Sequence, residues 1–204
     1  MKNILNYTFI NNTSAVYYNG SRWATNSCGE VEIVGKLDKF YIDKDGYRHY
    51  NYYLCKFDDG TLVEVEYRAL RTGKIKNPNK PSVYGVGYIG EGKYNSGTSK
   101  KHTKEYEIWK KMLQRCYDEK YQIAEPTYCG VTVDPTWFNF QQFCEDITKL
   151  ENYDAWKNND GYELDKDILC DKFNINPKVY SLATCKFVTK SENNKYKKIV
   201  KKGE

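Results

Sequence analysis

Long hydrophobic runs are missing from this chain: no stretch approaches the roughly 18 consecutive apolar residues needed to cross a bilayer. No membrane partner is therefore expected. The opening Met1-Lys2-Asn3-Ile4-Leu5-Asn6-Tyr7 lacks the apolar segment and small-residue cleavage site of a secretion signal, so a cytoplasmic protein is the simplest expectation. Paired cysteines are missing too. Seven cysteines, at 28, 55, 116, 129, 144, 170 and 185, form no CxxC, and their odd number without a signal argues against a disulfide framework. Zinc would need four widely scattered ligands and is not expected; reduced, buried thiols are.

Aromatic residues and asymmetric charge are what the chain does have. Its 204 residues are 40% hydrophobic and 29% charged, which is ordinary for a folded protein with a real core. The net charge is only +5, but it is unevenly spread. Seven lysines and one Glu lie between Lys186 and Lys202, whereas nine acidic residues and three lysines lie between Glu145 and Asp171. That pairing suits a protein that touches phosphate and holds a divalent cation, although charge alone slightly favours a solvated helix face beside an acidic loop.

Many of the 20 tyrosines fall in the first 90 residues, among short β-prone runs. Residues 30–34, 50–57 and 61–65 read as strands, punctuated by Asn19-Gly20, Asp45-Gly46 and Asp59-Gly60, with a hairpin across Asp58-Asp59-Gly60. A small antiparallel, SH3-like β module over 1–80 is the expectation. Its tyrosines are good sheet residues and could also stack on bases. Residues 81–102, rich in glycine, read as a linker or ordered arm. Gly85-Val86-Gly87-Tyr88-Ile89-Gly90 matches GxGxxG, but more glycine and a polar loop follow instead of a helix, so no nucleotide cofactor is expected.

The region 103–204 turns helical. Thr103 caps a helix with Ile108, Trp109, Met112, Leu113 and Cys116 on one face and Lys104, Lys110, Lys111 and Arg115 on the other. Asp134-Pro135 begins a second helix carrying Trp137, Phe140, Cys144 and Ile147. Tyr162 to Leu169 alternates like a strand, a polar loop containing Asn174, Asn176 and Pro177 follows, and Cys185–Val188 returns as a second strand. Thr189-Lys190-Ser191-Glu192 is a capping box that starts a helix bearing Asn193. The fold class is thus α+β: the β module, a helical region, and a C-terminal strand–loop–strand–helix.

The order Trp109…Met112-Leu113…Arg115-Cys116-Tyr117, Tyr128-Cys129-Gly130-Val131-Thr132-Val133…Trp137…Phe140…Phe143…Asp146, Leu164-Asp165-Lys166-Asp167-Ile168, Tyr180-Ser181…Cys185…Phe187-Val188 and Glu192-Asn193 resembles phage-encoded HNH endonuclease-related proteins. The likeness covers residues 83–196, more than half of the chain. It implies a C-terminal ββα-metal unit. Asp165 matches the metal-binding aspartate and Asn193 the helix ligand, with Asp167 nearby, and Mg²⁺ or Mn²⁺ is the implied cation. The general-base position falls on Lys166 and the orienting-amide position on Thr184. A lysine is ordinarily protonated at neutral pH and accepts no proton from water, while His49 and His102 lie outside the motif.

A DNA-binding protein on this scaffold, with weak or no cleavage, is the leading expectation. Lys104, Lys110, Lys111, Arg115, Lys190, Lys195, Lys197 and Lys198 would contact phosphates. An active metal-dependent endonuclease is an alternative. So is a phage protein that blocks a host antiviral defence protein, using the acidic segment 145–171 and the tyrosine-rich module as contact surfaces.

Overall fold

The computed structural model describes residues 3–98, 100–159 and 161–203, with side chains described as far as Tyr196. It is mixed α+β, and its contacts divide the chain into two compact units between Lys80 and Pro81. Among the described residues, no helix is long and apolar enough to cross a membrane.

The first unit is built on β1 (Phe9–Ile10), β2 (Arg22–Ala24), β3 (Glu30–Leu37), β4 (Tyr41–Ile42), β5 (Arg48–His49), β6 (Tyr52–Phe57), β7 (Leu62–Glu66) and a short helix α1 (Tyr67–Thr72). β3 is central. It pairs antiparallel with β6 on one side and, on the other, with β1 and β2 at its two ends; β7 pairs antiparallel with β6. β3 buries residues on both faces: Val31 and Ile33 lie on one, and after the register shifts between Ile33 and Gly35, Leu37 packs with Leu54 and Leu62 in a separate cluster. Val31 and Ile33 pack with Tyr53, Cys55, Phe57, Val65, Leu70 and Ile75. The β6–β7 hairpin turns at Gly60 with φ +83°, and Gly20 and Gly46 likewise take the left-handed backbone at their turns.

The second unit contains α2 (Lys104–Tyr117), α3 (Glu119–Ala124), β8 (Thr132–Val133), α4 (Phe140–Ile147), α5 (Tyr153–Asn158), β9 (Tyr162–Asp165), α6 (Asp167–Lys172), β10 (Val179–Tyr180), β11 (Lys186–Thr189) and α7 (Lys190–Gly203). The Thr103 hydroxyl caps α2 by accepting from the Tyr106 N–H, and α2 buries Trp109, Met112, Leu113 and Cys116. These pack with Trp137, Phe140, Phe143, Trp156, Leu164 and Phe187 in a single core.

Two elements differ from the sequence reading. The expected helix from Asp134 is two pieces: a 3₁₀ turn over Pro135–Phe138, then α4. Asn139 between them is extended and caps α4 through the Gln141 N–H, while the Tyr88 backbone bonds to Phe138 and Phe140 on either side. Those long-range bonds claim the backbone that a continuous helix would need. The strand expected over 162–169 ends at Asp165. Its carboxylate accepts the backbone N–H groups of Asp167 and Ile168, the first of α6, so the chain coils instead of extending.

The glycine-rich stretch is packed against this second core through Val83, Tyr84, Val86, Ile89 and Tyr94. The Gln141 amide holds it by donating to the Ile89 and Tyr94 carbonyls and accepting from the Tyr94 N–H. Gly87 sits so close that a Cβ there would lie 2.9 Å from the Trp109 ring and closer still to Leu113. Its glycine serves this close approach.

Candidate functional site

β9 and β11 pair antiparallel, with Asp165 opposite Lys186 and Tyr162 opposite Thr189. α7 follows β11 without a loop. Its first turn is the expected capping box: the Thr189 hydroxyl accepts from the Glu192 N–H, and the Glu192 carboxylate accepts from the Thr189 N–H. This junction places Asn193 beside β9, where its amide donates to the Glu163 carboxylate at 2.9 Å.

A cleft of about 310 Å³ lies between this unit and α2. Asp165, Lys166, Asp167 and Asn193 line it from one side, and Lys104, Glu107, Lys111 and Arg115 from α2. Lys190 lines it as well, and Tyr128, Tyr180 and Trp156 supply aromatic wall. Residues far apart in sequence thus share one concavity.

Lys166 is only 3% exposed. Its ammonium lies 2.8 Å from the Asp167 carboxylate and over the rings of Tyr180 and Tyr128, at 4.9 and 5.4 Å from their centroids. Burial alone would raise the Asp167 pKa, but the charges of Lys166 and Lys178 outweigh it and hold the carboxyl below its usual range. Lys178 in turn reaches Asp171 at 2.9 Å, and the Tyr196 hydroxyl donates to Asp171. Asp165 goes the other way: burial, against the two backbone N–H groups it accepts, pushes its pKa up. A carboxylate pair two positions apart therefore sits in opposed electrostatic settings.

Arg115 differs from Lys166. It is half-buried, stacks over the Tyr128 ring at 5.4 Å and reaches the Tyr180 hydroxyl at 3.5 Å. Among the described residues no carboxylate lies within ion-pair distance of it. Tyr180 and Tyr128 do not balance its charge, because burial raises both phenols above their ordinary pKa.

Several proposed site residues have other occupations. Lys104 donates to the Trp156 and Asn159 carbonyls at the end of α5, tying that helix down. Lys110 and Lys195 do not line the cleft, and Lys195 is exposed on α7. Lys197 and Lys198 lie outside the described side chains. Thr184, 2% exposed, does not line the cleft; its hydroxyl donates to the Val179 carbonyl and pairs with Ser181 at 2.8 Å. Of the three expected metal ligands, Asp165 accepts two backbone N–H groups, Asp167 takes both ammonium groups on Oδ1, and Asn193 donates its NH₂ to Glu163. Among the described residues no group of three or more His, Cys, Asp or Glu is arranged to hold a metal.

Glu163, Tyr128 and Tyr180 belong to the site without having been expected there. Glu163 had a usable signal: it lies two residues before Asp165, hence on the same strand face.

No family model, curated protein or solved structure matches this chain. What the cleft does must be argued from its own residues.

Proposed function

We propose that this chain is a phage-type DNA-binding protein on an HNH endonuclease-related scaffold, with weak or no cleavage. The β9–β11–α7 unit fits the strand–strand–helix layout of a ββα nuclease motif, and the antiparallel sheet of the first unit fits a small SH3-like module. The observation that carries the reading is convergence: Lys111 and Arg115 of α2 and Lys190 of α7 line the cleft that also holds Asp165 and Asn193. Cations gathered along a concave surface attract the phosphate backbone and make binding salt-dependent.

The same geometry argues for binding over cleavage. Lys166 stands where the motif places its general base, and an ammonium paired with Asp167 has no lone pair with which to take a proton from water. Thr184, at the orienting position, is committed to Val179 and Ser181.

The test is incubation of supercoiled plasmid with Mg²⁺ or Mn²⁺, beside an Asp165→Ala control and a mobility-shift assay. We expect a retarded complex that weakens steeply with salt, and no nicking. Nicking lost in Asp165→Ala would replace this reading with an active nuclease. Loss of both cleavage and retardation would overturn it and favour a protein partner.

A further inference from the structure

We propose that Arg115 anchors a terminal phosphate of a nucleic-acid strand at the inner wall of the cleft. The inference rests on the nucleic-acid reading only for the source of that phosphate.

A half-buried guanidinium has lost part of its hydration, and without a carboxylate partner its charge is left uncompensated. Lys111 and Lys190 are exposed and keep their water, and the more buried ionised groups beside Arg115 have partners of their own. Asp167 serves Lys166 and Lys178, Asp165 accepts two backbone N–H groups, and Glu163 takes the Asn193 amide. Arg115 is therefore the half-buried cation of this wall that has no carboxylate partner. Its planar fork suits two oxygens of one phosphate, and the Tyr180 hydroxyl, which accepts from the guanidinium at 3.5 Å, keeps its own O–H to donate to a further oxygen.

Size selects the kind of phosphate. A cleft of about 310 Å³ is at the small end of ligand-sized sites and too small to enclose a duplex, which would rest on the exposed Lys111 and Lys190, so the phosphate at half-buried Arg115 arrives on a strand end or a single nucleotide. A monoester at a strand end also carries more negative charge than an internal diester, which favours it at an uncompensated cation. Lys111 and Lys190, both exposed on the lining, then act as general attraction for the following backbone.

The test has two arms. In the first, thermal stability is measured in inorganic phosphate against chloride at equal ionic strength. In the second, fluorescence anisotropy compares one short single-stranded oligonucleotide bearing a 5′-phosphate, a 3′-phosphate or hydroxyls at both ends. We expect phosphate-specific stabilisation and about tenfold tighter binding of one phosphorylated end, roughly what a single good charge-assisted contact contributes. Arg115→Lys should abolish the phosphate-specific stabilisation and the preference for the phosphorylated end, read as a ratio to the hydroxyl-ended strand in the same variant; Tyr180→Phe, which keeps the ring, should weaken both severalfold. Stabilisation by phosphate with no binding of any oligonucleotide would support the anchor, assign it a free phosphate compound, and overturn the strand as source. Absence of both effects in the wild-type protein, or their survival in Arg115→Lys, would overturn the proposal.

Discussion

At the scale of single residues, the cleft shows how position and role can part. Thr184 occupies the place of an orienting amide, yet its hydroxyl closes a buried turn between Val179 and Ser181. Thr184→Val should therefore cost about 1–3 kcal/mol by leaving the Ser181 hydroxyl and Val179 carbonyl without that partner. Urea unfolding would measure it, and DNA affinity should not change. Asp167 gives a pH dependence whose sign is fixed. Its folded pKa is lowered, so its ion pairs stabilise the protein above the unfolded value of about 3.9, and that contribution is lost as pH falls through the lower folded value. Stability followed by denaturant between about pH 5 and pH 2 should fall less steeply in Asp167→Asn than in wild type. An unchanged slope would mean that Lys166 and Lys178 find equivalent partners elsewhere.

Elements were legible where the signals that set them are local. The β6–β7 hairpin follows from β-prone runs meeting at a glycine that accepts positive φ, and α2 from Thr103 and the spacing of Trp109, Met112, Leu113 and Cys116. The Thr189–Glu192 box marks the start of α7 for the same reason. The break at Asn139 was not legible, because the backbone that enforces it belongs to Tyr88, some fifty residues earlier. The end of β9 was obscured by alternating side chains that continue past it, while the Asp165 carboxylate draws the backbone into α6. Of the site, the motif residues could be named, but not that the α2 cations would share their cleft, nor that Asp165, Asp167 and Asn193 would turn to other partners. The glycine run shows the same limit: composition suggests freedom, whereas Gly87 answers to the Trp109 and Leu113 side chains. Gly87→Ala should lower stability by about 1–3 kcal/mol through overpacking, read as a fall in Tm. A neutral result would require the Leu113 side chain and Trp109 ring to move aside without loss.

For the whole molecule the decisive fact is that the two units have separate hydrophobic cores, one around Ile33 and Cys55, the other around Trp109 and Phe187. A defect in one core can then be followed separately from the other. The cysteines report on this. Cys55 is buried in the first core and Cys116, Cys144 and Cys185 in the second, and burial raises all four thiols, with Cys55, Cys116 and Cys144 pushed up to about 12. A thiol held protonated and sealed from solvent does not react with an alkylating reagent until its surroundings open. Each unit thus carries its own chemical clock. Ile33→Ala, which should cost about 2–5 kcal/mol, is expected to speed alkylation of Cys55 and leave Cys144 at its wild-type pace, as mass spectrometry of pulse-labelled protein would show. Equal acceleration at both would mean that the units open together.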